Sequence, residues 1–131
     1  MIKIIKNKKI KIQNKTKNTE IDNIEFSTSI ARNTRGLMFK KSGRMLMEFI
    51  KDGKSSIWMP FMRFSLDLIF IDNKKTIVDI KPNAVPLKIL KPSTWKLYFP
   101  KERCRYVLEI ESKLAKAKKF DIGDQLIFSD I

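Results

Sequence analysis

At 131 residues the chain has the length of one domain, and its apolar fraction of 43% is enough to bury a core. It carries 28 Lys and Arg against 14 Asp and Glu, a formal charge of +14, with one cysteine and no histidine. That inventory excludes an intrachain disulfide, Ser–His and Cys–His nucleophile pairs and a Cys/His zinc cluster, and its positive field favours anionic partners.

Residues 1–18 hold seven lysines and no acid. Ile2, Ile4, Ile10 and Ile12 alternate with polar residues, which is strand spacing. Two readings stay open for this stretch: a small basic hairpin turning at Asn7–Lys8, or a frayed arm, because Asn14 to Asn18 is wholly polar. Lys3, Lys6, Lys8 and Lys9 interrupt the start too often for a secretory signal, and no apolar run reaches the length of a membrane span. A soluble cytoplasmic protein is the expectation.

Residues 24–28 read as a strand. Ser29 then caps a short helix to Arg35, and Gly36 ends it. A strand is predicted over 44–50, a turn at Lys51–Lys54 with Gly53 as its permissive residue, and a return strand Ile57–Met59 stopped by Pro60. The clearest hairpin joins 66–71 to 75–80 through Asp72, Asn73 and Lys74; both arms are rich in Ile, Leu, Val and Phe. Pro82, Pro86 and Pro92 mark a long irregular connection. Strands follow at 95–99 and 104–110. A helix from a Ser112 cap to about Lys119 and a tight turn at Ile122-Gly-Asp124 lead into a last strand, 125–129.

The pattern is that of one domain, residues 1–131, with no repeat and no linker. The predicted fold class is mainly β (α+β): a small barrel-like shell of short, mostly antiparallel strands with two short helices, closed by strands from both ends of the chain.

Five blocks stand in a particular order: Arg35-Gly36-Leu37-Met38, Trp58-Met59, Leu66-Asp67 with its apolar strand, Tyr106-Val107-Leu108-Glu109, and Gly123-Asp124. As an ordered set they resemble the uncharacterised family called domain of unknown function 192, over about residues 24–129. The resemblance implies a mainly β, barrel-like fold and brings no reaction with it. Many members read Lys-Asn-Thr where this chain has Pro60-Phe61-Met62, and Pro where it has Ser65. Anything those members bind through the Asn-Thr pair is not bound the same way here.

Asp67 sits between Leu66 and Leu68 in an apolar strand, and Glu109 occupies a similar place. Each is either a structural carboxylate satisfied by backbone amides or an arginine, or an acid facing a ligand. Arg35, Trp58, Met59, Asp67 and Glu109 are the candidate lining of a pocket for a small molecule or peptide. For the Trp58, Met59, Phe61, Met62, Phe64 cluster, core packing is the plainer reading and an apolar wall of a ligand or peptide groove the alternative. From Lys81 to Arg105 there are seven cations, interleaved with Trp95, Tyr98 and Phe99, and one acid, Glu102. Lys88, Lys91, Trp95, Lys96, Lys101, Arg103 and Arg105 form a candidate surface for RNA or DNA, stacking bases and meeting phosphates without sequence readout. A solvated loop is the plainer alternative. Paired carboxylates can hydrolyse glycosides without histidine, which keeps an Asp67/Glu109 hydrolase in view. No cofactor and no metal is expected, and a non-enzymatic binding module fits the inventory best.

Overall fold

The structure, a computed structural model, describes residues 8–27, 43–53, 57–58, 65–84, 97–98 and 100–130. Nine strands run through them: β1 (Lys8–Asn14), β2 (Thr19–Ser27), β3 (Met45–Gly53), β4 (Ile57–Trp58), β5 (Leu66–Ile71), β6 (Ile77–Ala84), β7 (Leu97–Tyr98), β8 (Cys104–Glu111) and β9 (Leu126–Asp130). One helical turn, α1 (Leu114–Ala117), lies between the last two. Seven strands form one sheet in the order β6-β5-β8-β3-β2-β1-β9, and β4 pairs with β7. Within the large sheet all pairs are antiparallel except β2–β3, whose parallel register (Glu25 with Met45, Phe26 with Leu46) requires a long connection.

Strands from both ends of the chain meet, as the strand order in sequence predicts, but the sheet is a half-barrel and not a closed shell. The edge strands β6 and β9 converge at one end, where Thr76 bridges Gln125 and the Leu126 N–H donates to the Lys75 carbonyl at 2.9 Å. The Gln125 amide also donates to the Lys74 carbonyl at 2.7 Å. The last strand therefore meets the hairpin around Asn73, and the sheet curls into a half-barrel.

β5 is buried along its whole length because both of its faces carry core. One face joins Ile69 and Ile71 to Ile12, Ile21, Ile24, Leu108, Ile110, Ala115 and Phe120. The other joins Leu66, Leu68 and Phe70 to Met45, Met47, Phe49, Ala84, Cys104 and Val107. A continuous apolar run is what such a strand needs, and it explains why its bounds were readable to the residue.

Among the register shifts of the sheet, two carry an asparagine in the left-handed region. Asn23 (φ 55°) adds a residue to β2 where Ile10 pairs with Ile24 and Ile12 with Ile21, so both β2 isoleucines reach the core. Asn83 (φ 55°) does the same on β6, between the Leu66–Ala84 and Leu68–Lys81 pairs.

The structure corrects several local expectations. Lys8 belongs to a strand, Asn7 lies outside the described residues, and the polar run after Asn14 is not frayed: Lys15–Asn18 is the β1–β2 hairpin turn. The Asn14 side-chain oxygen accepts the Lys17 N–H at 3.1 Å, and Asn18 takes the left-handed position (φ 56°). The expected turn at Lys51–Lys54 gives way to a longer β3, since Gly53 still pairs with Cys104. The second predicted helix is a single turn without a Ser112 cap; the Ser112 hydroxyl donates to the Asn83 side chain at 2.7 Å instead. Lys119 (φ 61°) and the Phe120 N–H, donating to the Ala115 carbonyl at 2.9 Å, end it as a glycine-type C-cap would. The first predicted helix, residues 29–35, lies outside the described residues. Among the described residues no helix is long and apolar enough to cross a membrane.

Candidate functional site

Five polar side chains are buried among the described residues: Asn14, Asp67, Asp79, Glu109 and Asp124. A buried polar group is stable only with partners, so the partner of each one assigns its work.

Asp67 reaches across two elements. One oxygen accepts the N–H of the bulge residue Asn83 at 2.9 Å, and the other accepts the Ala115 N–H in α1 at 3.1 Å. The carboxylate thus supplies from β5 the cap that the helix lacks locally. Asp79 accepts the Ile80 and Lys101 N–H groups at 2.8 and 2.9 Å and lies 3.2 Å from the Lys81 ammonium. Asp124 accepts the Asn14 amide at 2.8 Å, the Asp121 N–H at 3.0 Å and the Lys17 ammonium at 3.0 Å. Its place in the tight turn depends on Gly123, whose φ of 95° favours glycine. All three acids are clasps between segments distant in sequence. Asp67→Ala orphans two backbone N–H groups, and we expect a loss of about 2 kcal/mol in urea unfolding, with faster hydrogen exchange confined to α1 and the Asn83 bulge.

Glu109 differs. It is 6% exposed, and among the described residues its side chain makes no hydrogen bond or ion pair. Burial alone pushes its carboxyl up to about 8. In the sheet it lies between Met45 on β3 and Leu68 on β5, so it shares a face with both. Two residues along β8, Glu111 is occupied by the Arg44 guanidinium at 2.7 and 3.1 Å, which holds Glu111 below the usual carboxylate range.

The register separates the two candidate acids. Asp67 pairs with Ile110 and Leu68 with Glu109, so Asp67 and Glu109 project from opposite faces. They cannot flank one bond, which removes the carboxylate-pair hydrolase. They cannot line one pocket either: Asp67 belongs with α1, and Glu109 with the methionine face. Arg35 and Met59 lie outside the described residues, and only the backbone of Trp58 is described.

Of the candidate nucleic-acid residues, Lys88, Lys91, Trp95 and Lys96 lie outside the described residues. Lys101 and Arg103 are exposed, whereas Arg105 lies against Glu48 at 3.3 Å. Among the described residues no group of three His, Cys, Asp or Glu stands together to hold a metal. Sequence reasoning missed a groove of about 970 Å³ beside α1, rimmed by Lys113, Lys116 and Lys119. The three-residue spacing of those lysines is visible in the sequence, but spacing alone does not show what they surround.

The family model described as "DUF192: Uncharacterized ACR, COG1430" matches residues 10–128. The UPF0127 protein PF1050 of Pyrococcus furiosus is 28% identical over 130 residues, covering 96% of this chain and 95% of the relative. The UPF0127 protein PH1112 of Pyrococcus horikoshii is 33% identical over 120 residues, covering 88% and 96%. Two solved structures share the fold. One, from Sinorhizobium meliloti 1021 and described as a proposed transcription regulator, has a TM-score of 0.78 at 22% identity and covers 96% of this chain and 98% of that one. The other, a protein of unknown function from Novosphingobium aromaticivorans, has a TM-score of 0.77 at 21% identity, covering 91% and 83%.

Proposed function

Because the chain belongs to the DUF192 family, which brings no reaction with it, we propose from its own residues that it is a non-enzymatic binding module whose ligand meets Glu109 on the methionine face of the sheet. The observation that carries this is the solitary state of Glu109 beside three acids that are fully engaged. A buried carboxyl without a partner destabilises the fold, and such groups gather at functional sites. Met45, Met47 and Leu68 give its surroundings an adaptable apolar character. The matching ligand is a small molecule or peptide end with an apolar body and one hydrogen-bond donor or cationic group. Trp58, Met59 and Arg35 remain its proposed further lining. Asp67 serves the reading as scaffold. A cytoplasmic setting belongs to the same proposal.

The test is backbone NMR with a panel of apolar primary amines and neutral amides, on wild type and Glu109→Gln. Binding should perturb Met45, Leu68 and Glu109 and release a proton from Glu109 when the ligand is an amine. In Glu109→Gln the amine response should fall by about tenfold or more, the scale of one charge-assisted hydrogen bond. Perturbations scattered away from this face, or unaltered in Glu109→Gln, would defeat the proposal.

The charge of +14, with Lys101 and Arg103 exposed, supports a second reading: electrostatic, weakly specific binding of RNA or DNA. Its affinity for a labelled single-stranded oligonucleotide should fall steeply with salt, and a flat salt response removes it.

A further inference from the structure

The groove beside α1 has an apolar floor and a cationic rim. Ile80, Pro82 and Ile122 line it, with Phe120 beneath and Asp67 at its inner end. Ile122 is 55% exposed, the most exposed large apolar side chain among the described residues. The fold gives no reason for it: Gly123 and Asp124 on one side and Phe120 on the other all hold the turn together, and Ile122 holds nothing. Lys113, Lys116 and Lys119 are exposed around the same groove and make no ion pair among the described residues. The fourth lysine of the lining, Lys17, is already neutralised by Asp121 at 2.8 Å and Asp124 at 3.0 Å. Three free ammonium groups therefore ring an exposed aliphatic patch.

We propose that this groove docks an acidic peptide segment of a partner protein, its carboxylates reaching Lys113, Lys116 and Lys119 and one aliphatic side chain lying on Ile122 and Ile80. Charge complementarity selects an anion, and the mostly apolar floor selects one with an apolar side chain between its charges. Nucleic acid fits less well. Its bases need exposed aromatic faces, and the one aromatic ring here, Phe120, is buried. Strand addition to the β6 edge is not the mode, because Pro82 lacks the N–H such pairing uses. The groove lies on the Asp67 side of the sheet, opposite Glu109, so this proposal stands or falls separately from that site.

The experiment titrates the full chain with a short labelled peptide alternating glutamate and leucine, beside an alternating glutamate and serine peptide and a labelled oligothymidylate. The glutamate–leucine peptide should shift the amides of Lys116, Lys119 and Ile122. The double variant Lys116→Glu/Lys119→Glu should weaken it by about tenfold or more, and Ile122→Ser by about fivefold. All three side chains are exposed, so the variants should keep the wild-type circular dichroism and melting profile. A glutamate–serine peptide that binds as well, or indifference to Ile122→Ser, would overturn the proposal in favour of a diffuse basic surface. Tighter oligothymidylate binding at the same amides, or no shift there with millimolar peptide, would overturn it as well.

Discussion

Glu109→Gln should make the protein more stable at pH 8 and above, and should flatten its stability profile between about pH 4.5 and 8. In the folded chain the Glu109 carboxyl is pushed up to about 8 by burial, from 4.5 when unfolded. Between those values the folded state holds a proton that the unfolded state has released. Stability therefore falls as pH rises, by at most about 1.4 kcal/mol for each pH unit. Below pH 4.5 both states are protonated and the acid imposes no charge penalty. Its described neighbours Met45, Leu68 and Val107 cannot take up the charge, and Glu111 on the same strand is engaged with Arg44. Glutamine keeps the shape and carries no charge at any pH. Urea unfolding of both proteins from pH 4 to 9 measures this directly. Equal profiles would mean that Glu109 is partnered when folded. A gain in stability joined to a loss of amine binding is the signature of a residue kept for function at the expense of stability.

β5 was readable to its ends because a strand buried on both faces needs an unbroken apolar run, and 66–71 is such a run. The meeting of the two ends was readable because both carry strands, but the pattern did not show that the sheet stops at a half-barrel. The hairpin turn at Lys15–Asn18 was not, since asparagine in the left-handed region looks like any polar residue in a wholly polar stretch. For the same reason the Asn23 and Asn83 bulges were invisible, and the second one supplies an amide that occupies Asp67. Alternation along β5 sets Asp67 opposite Leu66 and Leu68. It could not set Asp67 against Glu109, because that depends on the β5–β8 register, and a shift of one residue would have put both on one face. The groove beside α1 arises from residues near 80, 115 and 120 and has no local pattern at all.

The largest loss of stability among the polar clasps is expected for Asp124→Ala. Asp124 ties the β1–β2 turn to the loop entering β9, through Asn14 and Lys17 on one side and the Asp121 N–H on the other. Burial alone would raise its carboxyl; the Asn14 amide, the Asp121 N–H and Lys17 outweigh that and hold it below the usual carboxylate range. This contribution is present at neutral pH and is lost as pH falls through the folded value. Alanine leaves the fully buried Asn14 amide and a backbone N–H without acceptors, a cost of about 3 kcal/mol or more. At this chain length that lowers the melting temperature by roughly 10 °C. Asp121→Ala is the control: it removes only an exposed partner of Lys17 and should cost less than about 1 kcal/mol. Hydrogen exchange should locate the damage where β1, β9 and the hairpin around Asn73 meet, because the Lys15 N–H donates to the Gln125 carbonyl there and Gln125 in turn bridges to Thr76. A variant that loses stability uniformly, with this junction still protected, would show that closure of the half-barrel does not depend on Asp124.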